Sequence, residues 1–299
     1  MLELSTEKLS LEEICKKYKL SEEEHKKIGK SINEIMLYGK VSVQNPIAII
    51  DIAPPGSGKT GLNGMGVKQF SDNNVVVINS DELKVFYPRI ETIAKLYPEY
   101  YTKVTNQESN PWTDKLFEKA VNYRYNIIFE GTGRNLNLLR KMIDQMHNYK
   151  IIVRGMAVNE LNCLMSIVER YDSQVKEKGW GRLVTLSHFY KAYEEFLDTI
   201  EQIEILGIAD DVEVYIRGNK PSQPIKIYSS NTKEFTNAKL AVIKGREDDQ
   251  KNANKYFETN FNNGLLSNSS ILEENKIIEK INNLYEKQER IYRERKKNE

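Results

Sequence analysis

The chain has 299 residues and a formal charge of +1 from 44 basic and 43 acidic side chains, which argues against a general nucleic-acid binder because such proteins usually carry a basic excess. Its length allows one large domain with appendages or two smaller domains, and no apolar run approaches the roughly 20 residues of a membrane-spanning helix. Cys15 and Cys163 give neither a disulfide framework nor a zinc site, and the first residues lack the pattern of a secretion signal, so we expect a cytoplasmic protein.

The first forty residues are charged and predict helices. Ser10-Leu-Glu-Glu13 and Ser21-Glu-Glu-Glu24 each resemble a capping box, in which a serine and the glutamate three residues later satisfy N–H groups of a first helical turn. Four apolar residues follow at helical spacing, namely Ile28, Ile32, Ile35 and Met36. We therefore expect residues 1–44 to form a helical segment that packs on the core.

Short apolar runs downstream predict the strands of a sheet. They lie at residues 47–53, 75–78, 125–129 and 150–154, and later at 212–216 and 225–228. Helical periodicity separates the first four runs, whereas only a turn containing Gly, Asn and Pro separates the last two. The alternation predicts an α/β fold with a mostly parallel sheet and helices on both faces, followed by a hairpin or a pair of late strands.

Residues 45–230 would form this core, and residues 231–299 differ from it. Aliphatic residues become fewer after residue 231, so we expect a loop-rich stretch there and then a C-terminal amphipathic helix. Four apolar residues share one face of that helix, namely Ile277, Ile281, Leu284 and Ile291. The pattern favours a surface helix packed on the core over a helix that faces a partner.

The segment Ala53-Pro-Pro-Gly-Ser-Gly-Lys-Thr60 matches the phosphate-loop pattern G-x-x-x-x-G-K-[ST], except that Ala53 replaces the first glycine. Glycines let backbone N–H groups converge on a phosphate, and the N-terminus of the following helix adds a positive dipole. Lys59 would reach the β- and γ-phosphate oxygens of ATP, and the Thr60 hydroxyl would bind Mg²⁺. The residues expected to bind ATP are Pro55, Gly56, Ser57, Gly58, Lys59 and Thr60.

The same residues also match the dinucleotide fingerprint G-x-G-x-x-G at Gly56, Gly58 and Gly61, with Asp81 about 20 residues further on. In that fingerprint the strand runs directly into the first glycine. Two prolines intervene here, and Lys-Thr stands where a phosphate loop requires it, so the pattern favours a triphosphate over dinucleotide redox chemistry. A Gly/Pro-rich turn without a ligand is the third interpretation.

Asp81 follows the second predicted strand, in Asn79-Ser-Asp81. Ligands of open α/β sheets bind at the carboxyl ends of the strands. A carboxylate at that edge can accept the proton of an attacking hydroxyl during phosphoryl transfer. The alternative is that Asp81 caps the N-terminus of the following helix.

Two further stretches carry charged side chains suited to phosphate chemistry. Glu130 closes the third strand in Phe129-Glu-Gly-Thr-Gly-Arg134, where it resembles a metal-supporting acid and where Arg134 suits a phosphate. Arg170 on a helix end and Arg182 in a glycine-hinged stretch are placed as in a lid that closes over a γ-phosphate. The alternatives are a plain strand–turn–helix junction and solvated surface arginines.

Taken together, these motifs resemble the zeta toxins. The matching segments are Leu20-Ser-Glu-Glu-Glu-His25, the phosphate loop, Asn79-Ser-Asp81, Phe129-Glu-Gly-Thr-Gly-Arg134, Val168-Glu-Arg-Tyr171, Gly181-Arg182 and Ile225-Lys-Ile-Tyr-Ser-Ser230. Zeta toxins are P-loop kinases of bacterial toxin–antitoxin systems, and their best-known activity is ATP-dependent phosphorylation of the 3′-hydroxyl of UDP-N-acetylglucosamine. The resemblance implies a P-loop kinase fold, a growth-inhibiting role and an antitoxin that covers the nucleotide site.

The resemblance also implies a role for each matching residue. Lys59 would bind the ATP phosphates, Thr60 and Glu130 would lie at the Mg²⁺ ion, and Asp81 would be the base on the substrate hydroxyl. Two arginines, Arg170 and Arg182, would act on the moving phosphoryl group. The residues that would bind the substrate are Asp114, Glu130, Thr132 and Arg134.

The chain departs from the family pattern at three positions. Ala53 and Pro54 replace the usual Gly and Gln of the loop, and Asp114 stands where the family generally has a longer, sugar-binding glutamate. The alternatives are therefore a kinase of the NAD ribose or of a nucleic-acid hydroxyl, and a non-catalytic module that binds nucleotide to regulate a partner. The N-terminal helices could also inhibit the nucleotide site in cis, although a packed extension is the simpler interpretation.

Overall fold

The computed structural model describes residues 9–220, 223–261 and 272–298. These residues divide into two units. The first unit consists of Met1–Tyr38 and Ile78–Lys119, and the second of Gly39–Val77 and Ala120–Glu299. The first is helical, and the second contains the sheet.

In chain order, the helices are α1 (Leu11–Tyr18), α2 (Glu22–Met36), α3 (Lys59–Val67), α4 (Ser80–Leu83), α5 (Ile90–Leu96), α6 (Tyr101–Asn122), α7 (Leu136–Ile143), α8 (Glu160–Lys178), α9 (Leu186–Ile205), α10 (Ala238–Asp248), α11 (Gln250–Tyr256) and α12 (Leu272–Asn298). The strands are β1 (Ile47–Ile52), β2 (Val76–Ile78), β3 (Ile127–Gly131), β4 (Lys150–Met156), β5 (Asp211–Ile216) and β6 (Ile225–Ser229). A π-helical turn at Phe257–Phe261 follows α11. Within these described elements, no helix has both the length and the apolar character required to cross a membrane.

Both predicted capping boxes are confirmed in the first unit. Ser10 Oγ accepts a hydrogen bond from the Glu13 N–H at 3.3 Å, and Glu13 Oε2 accepts one from the Ser10 N–H at 2.8 Å. Ser21 and Glu24 repeat this arrangement at the start of α2, at 3.2 and 3.0 Å. Each pair satisfies N–H groups that a helix start otherwise leaves without partners.

Helix α2 packs on α6 through a small polar and aromatic cluster. Trp112 Nε1 donates to the His25 carbonyl at 3.0 Å, and the two rings stack with their centroids 4.9 Å apart. Glu108 Oε1 accepts from the Leu20 N–H at 3.0 Å. These contacts join the N-terminal helices to a segment nearly ninety residues later, which is why both belong to one unit.

In the second unit, the described residues form a six-stranded sheet with the order β2-β3-β1-β4-β5-β6. Strand β1 runs parallel to β3 and β4, and β4 runs parallel to β5. Strands β5 and β6 pair antiparallel, as the turn between them predicts. The mostly parallel sheet is therefore confirmed, and the carboxyl ends of β1, β3, β4 and β5 lie at one edge.

Helices cover both faces of this sheet, and glycines allow their close approach. On one face, a Cβ added to Gly66 of α3 would lie 3.0 Å from Ile128 Cδ1 of β3. On the other face, a Cβ on Gly155 of β4 would lie 2.6 Å from Ile200 Cδ1 of α9. Gly66, near the end of α3, lowers helix propensity, and its presence is thus explained by packing against the sheet.

The expectation of a loop-rich stretch after residue 231 is wrong for residues 238–261, which are helical. Asn237 caps α10 by accepting a hydrogen bond from the Leu240 N–H at 2.9 Å. The buried face of α10 consists largely of small residues, and a Cβ on Gly245 would lie 2.7 Å from Ala157 Cβ. Helix packing here depends on close backbone approach, so the low aliphatic content was misleading. Residues 262–270 of the same expectation lie outside the described residues.

The C-terminal helix packs on the core, as its apolar face predicts. Ile277 and Ile281 are fully buried, and Leu284 is 9% exposed. They join one apolar cluster with residues of α8 such as Leu161. Ile291, the fourth residue of the predicted face, is 36% exposed, so the packing extends over the earlier turns of the helix.

Candidate active site

The phosphate loop leaves β1 at the carboxyl edge of the sheet and ends at the first residue of α3. Gly56 and Gly58 both have a positive φ, +77° and +91°. A Cβ on Gly56 would lie 2.1 Å from the carbonyl oxygen of Cys163 in α8, and Gly58 is the N-cap of α3. Gly56 must adopt a positive φ and must also leave room for the Cys163 carbonyl. Only glycine meets both requirements, so the loop conformation depends on this residue.

Lys59 lies inside the curve of its own loop. Its Nζ donates to the carbonyl oxygens of Ala53 at 2.7 Å and of Pro54 at 3.1 Å, and Ser57 Oγ donates to the Pro54 carbonyl at 2.8 Å. Ala53 and Pro54, which depart from the usual pattern, therefore help to hold Lys59 through their backbone carbonyl oxygens. Thr60, the second residue of α3, is exposed. The ammonium group and the N-terminus of α3 thus converge on one concave turn, as a bound phosphate requires.

Arg217 holds this loop from the segment after β5, two strands away from β1 in the sheet, and the sequence analysis missed it. Its guanidinium donates to the carbonyl of Gly56 and, at 2.9 Å, to Ser166 Oγ of α8. Its Nε also lies 3.5 Å from the Ser57 carbonyl. Arg217 directly follows β5, so a basic residue immediately after a strand of this edge was the available signal.

Glu130 lies at the same edge, near the end of β3. Asn63 Nδ2 of α3 donates to Glu130 Oε2 at 2.5 Å. Asn63 stands four residues after Lys59, so both side chains extend from one face of α3. The sequence analysis did not single out Asn63, although its spacing from Lys59 could have indicated it.

A row of charged side chains runs across the sheet from half-buried Glu130 to three buried residues, Asp51, Arg154 and Glu213. Glu130 on β3 is the register partner of Asp51 on β1, Asp51 that of Arg154 on β4, and Arg154 that of Glu213 on β5. Arg154 Nε donates to Glu213 Oε2 at 2.9 Å, and Lys226 Nζ donates to Glu213 Oε1 at 2.8 Å. The row alternates between acid and base except at Glu130 and Asp51, where two carboxylates are neighbours.

Asp51 is fully buried, and neither of its carboxylate oxygens has a hydrogen-bond partner within the described residues. Burial raises the pKa of Asp51 to about 7, because it disfavours the charged form. The charge of Arg154 opposes this shift, and the charge of Glu130 adds to it. Asp51 lies two residues before the phosphate loop, so a charge on its carboxylate contributes to the electrostatic potential at the loop.

The residues that we predicted for ATP and Mg²⁺ have suitable chemistry and conformation. The loop offers a glycine cradle and an ammonium group for phosphates. Thr60 supplies a hydroxyl and Glu130 a carboxylate, and both are the oxygen donors that Mg²⁺ prefers beside phosphate oxygens. Thr60 and Glu130 would therefore hold the ion.

The turn after β3 brings together two predicted substrate residues. Arg134 Nε donates to Thr132 Oγ1 at 3.1 Å. Gly133 between them has φ +69°, and a Cβ there would lie 3.1 Å from Ile52 Cβ. The glycine lets the turn pack on β1, and the hydroxyl and the guanidinium lie on one short segment at the strand edge.

The two predicted lid arginines lie on neighbouring segments of the second unit. Arg170 is exposed on α8. The loop that carries Arg182 packs along the last turns of this helix, where the Arg182 N–H donates to Gln174 Oε1 at 2.9 Å. A Cβ on Gly181 would lie 2.7 Å from the carbonyl oxygen of Tyr171. Gly181 therefore permits the contact that places the Arg182 segment beside α8.

Asp81 lies in the first unit, in the single turn of α4. The helix cap is Asn79, whose Oδ1 accepts a hydrogen bond from the Asp81 N–H at 2.9 Å. The alternative role of Asp81 as the N-cap is therefore wrong, since Asn79 occupies that position. The Asp81 carboxylate instead accepts a hydrogen bond from Lys84 Nζ at 2.8 Å, and its side chain is 45% exposed.

Asp114 also belongs to the first unit, on the exposed side of α6. Partial burial raises the pKa of its carboxyl group above the ordinary value. Lys59, Thr60, Glu130, Arg170 and Arg182 belong to the second unit. The sheet edge thus accounts for the predicted nucleotide residues, and the helical unit carries the predicted base and Asp114.

Comparison with known proteins identifies the family of this chain. The family model described as Zeta toxin matches residues 35–233, which is 199 of its 299 residues. The chain belongs to the zeta toxin family. This is a family of ATP-dependent kinases, in agreement with the loop geometry described above.

Curated relatives include two toxins of streptococci. The chain is 28% identical to Toxin zeta of Streptococcus pyogenes over 200 residues, which cover 66% of this chain and 68% of that protein. It is 24% identical to Toxin PezT of Streptococcus pneumoniae serotype 4 over 182 residues, which cover 60% of this chain and 72% of the relative. Both relatives are named as toxins.

Solved structures share the fold. A structure from the PezAT chromosomal toxin–antitoxin system of Streptococcus pneumoniae superposes with a TM-score of 0.65 at 19% identity, covering 94% of this chain and 99% of that one. The native AvrRxo1-ORF1:ORF2 complex gives a TM-score of 0.54 at 10% identity, covering 91% and 88%. At these identities the likeness concerns the fold, and it confirms the P-loop kinase architecture predicted from the sequence.

Proposed function

We propose that this zeta toxin transfers the γ-phosphate of ATP to a sugar hydroxyl of a nucleotide sugar, specifically the 3′-hydroxyl of UDP-N-acetylglucosamine. The observation that carries the proposal is the phosphate loop, in which Lys59 lies within a turn fixed by Gly56 and Gly58. It supports the proposal because the loop belongs to a chain of a kinase family. Residues 45–230 would form the kinase core.

Each predicted site residue has a defined task in this reaction. Asp81 accepts the proton of the acceptor hydroxyl, whose oxygen then attacks the γ-phosphorus. A new bond forms between that oxygen and phosphorus, the bond from the γ-phosphorus to the bridging oxygen breaks, and ADP leaves. Lys59, Arg170 and Arg182 stabilise negative charge on the phosphoryl oxygens, because fixed cations there act where charge develops. Magnesium, held by Thr60 and Glu130, would neutralise further phosphate charge.

Substrate binding falls to residues that carry carboxylate, hydroxyl and guanidinium groups. Thr132 and Arg134 are already joined by a hydrogen bond, which supports a common task. Glu130 would orient the acceptor together with them, and Asp114 would bind sugar hydroxyls. Carboxylates accept hydrogen bonds from such hydroxyls, whereas guanidinium groups suit the diphosphate of a nucleotide sugar.

We also propose a growth-inhibiting role and an antitoxin partner. The curated relatives are named toxins, and the solved Streptococcus pneumoniae structure comes from a toxin–antitoxin system. An antitoxin that covers the nucleotide site would block ATP binding. The expected location is the cytoplasm, where ATP and nucleotide sugars are made available to a kinase.

The acceptor can be tested with purified protein, Mg-ATP and three acceptors analysed separately by mass spectrometry. The panel contains UDP-N-acetylglucosamine, NAD and an oligonucleotide with a free 5′-hydroxyl. We expect UDP-N-acetylglucosamine to gain one phosphate with stoichiometric release of ADP. Lys59→Ala should abolish transfer because it removes the phosphate-binding cation, whereas Lys68→Ala, at an exposed lysine just after α3, should not.

Phosphate on NAD or on the oligonucleotide instead would overturn the acceptor and retain the kinase. ADP release that does not depend on any acceptor would contradict a kinase function. Expression in bacteria tests the toxin role, since the wild type should arrest growth and Lys59→Ala should not. Growth arrest by both proteins would contradict a toxin that acts through phosphoryl transfer.

A further inference from the structure

Lys84 is a buried lysine that none of the roles above uses. Its side chain is 1% exposed, which places it among the largest fully buried side chains of the described residues. It follows α4 directly and begins a short 3₁₀ turn, Lys84–Phe86. An ammonium group is costly to remove from water unless it gains a charged partner, so its partner indicates why it is there.

That partner is the predicted catalytic base. Lys84 Nζ donates to Asp81 Oδ1 at 2.8 Å, while the Asp81 side chain remains 45% exposed. The cation is therefore inside and the carboxylate faces outward. The buried ammonium group thus fixes the position of one carboxylate oxygen of Asp81, while the exposed part of the carboxylate stays accessible to a substrate.

Neighbouring contacts hold both ends of this pair. The Asn79 side chain accepts a hydrogen bond from the Asp81 N–H, which fixes the backbone from which the carboxylate extends. The aromatic ring of Tyr101 lies 5.8 Å from Lys84 Nζ and stabilises the ammonium group by a cation–π contact. Leu83, between Asp81 and Lys84, is 1% exposed and anchors the turn.

A second ion pair of the same unit lacks these features. Lys95 Nζ lies 2.6 Å from Glu91 Oε1 on α5, and the two side chains are 49% and 61% exposed. Exposed pairs of this kind contribute little to stability. The Lys95–Glu91 pair therefore provides a matched control for the Lys84–Asp81 pair, because both join a lysine to an acid within one turn of helix.

We propose that Lys84 is a positioning residue, which orients the Asp81 carboxylate for proton abstraction from the acceptor hydroxyl. The inference rests on the proposed function, because it requires Asp81 to be the base. A base must lie within hydrogen-bond reach of the proton that it takes, so an anchored carboxylate gains over one that rotates freely.

Steady-state kinetics of Lys84→Met, Lys84→Arg and Lys95→Met test this role, with the acceptor that the screen described above identifies. Methionine retains the apolar stem and removes the ammonium group. We expect kcat for Lys84→Met to fall about 100-fold, which is the lower range of a general-base contribution, with KM for ATP unchanged. Lys84→Arg retains the charge but displaces the donor, so its kcat should fall about tenfold. Lys95→Met should match the wild type.

The outcomes separate this inference from the proposed function. Absence of transfer by the wild type would overturn both. Transfer by the wild type, with a kcat for folded Lys84→Met equal to that of Lys95→Met, would overturn the positioning role alone. If circular dichroism shows that Lys84→Met does not fold, Lys84→Arg decides, and a wild-type kcat for this variant would overturn the role. An equal loss in Asp81→Asn and in the Asp81→Asn, Lys84→Met double variant would support it, because the two residues would act as one unit.

Discussion

Asp51 is the residue at which the chain departs most from an ordinary buried strand. It is fully buried between Glu130 and Arg154 in the register of the sheet. In the folded protein its pKa is about 7, well above the ordinary aspartate value, chiefly because burial disfavours the charge. The folded state thus holds this proton more tightly than the unfolded state does between about pH 4 and pH 7. Stability from this group is greatest below that range and is lost as the pH rises through it.

Asp51→Asn should therefore stabilise the protein, and the gain should be clearly larger at pH 8 than at pH 5. The expected gain at pH 8 is at most about 4 kcal/mol in the free energy of unfolding, from a pKa difference of about three units. Urea denaturation at the two pH values measures it. Asp248→Asn, in the exposed pair with Lys244, is the control and should change little at either pH. The same effect of Asp51→Asn at both pH values would contradict the assignment.

The candidate site residues that could be predicted from the sequence are those whose chemistry follows from a local pattern. Lys59 and Thr60 belong to the phosphate-loop motif, and Asp81 follows a strand. Arg217 also follows a strand, but its role could not be read from a local pattern, because its contact with Gly56 joins residues 161 positions apart. Asp81 also had two local interpretations, and only the side chain of Asn79, which caps the helix, decided against Asp81 as the cap.

Among the elements, α8 connects the phosphate loop to the predicted lid. Its Cys163 carbonyl lies against Gly56, Ser166 contacts Arg217, and Arg170 lies further along the same helix. Tyr256 of α11 donates to Glu169 Oε1 at 2.6 Å, so the C-terminal helices brace α8. A displacement of α8 would therefore move the phosphate loop and Arg170 together.

Gly56→Ala should weaken ATP binding without unfolding the protein. The new Cβ would lie 2.1 Å from the Cys163 carbonyl oxygen, and the alanine would have to adopt a positive φ. The loop must therefore move away from α8. Isothermal titration calorimetry measures the ATP affinity, which should fall at least about 30-fold, the equivalent of about 2 kcal/mol of strain.

Gly64→Ala is the control for this prediction. Gly64 lies in the interior of α3, and a Cβ there meets nothing within 4 Å. This variant should retain the ATP affinity and should stabilise the helix by up to about 1 kcal/mol. Equal ATP affinity in Gly56→Ala and the wild type would contradict the close approach of the loop to α8.

The strands and most helices could be predicted because apolar periodicity determines them locally. The position of β1, one residue shorter than predicted, followed from a short apolar run, and the antiparallel pairing of β5 with β6 agrees with the hairpin alternative. Helices α10 and α11 could not, because α10 buries small residues such as Ala241 and Gly245 rather than an aliphatic stripe. Where packing depends on close backbone approach, hydrophobic periodicity is a weak signal.

For the whole molecule, the chain places its predicted functions in two units. The unit with the sheet carries the phosphate loop, Glu130 and the two arginines, and the helical unit carries Asp81, Lys84 and Asp114. Membership of the zeta toxin family assigns ATP-dependent kinase chemistry to the chain. The division into an N-terminal segment, a kinase core and a C-terminal tail at residues 44 and 230 stays a prediction.

The proposed function requires Asp81 to serve as the base for transfer from an ATP molecule held by the Lys59 loop. Phosphorus NMR of the product formed from UDP-N-acetylglucosamine and Mg-ATP tests this requirement, with the wild type compared to folded Asp81→Asn. We expect phosphate on the 3′-oxygen of the sugar and a kcat about 10²- to 10⁴-fold lower in Asp81→Asn. An undiminished kcat in Asp81→Asn would contradict it.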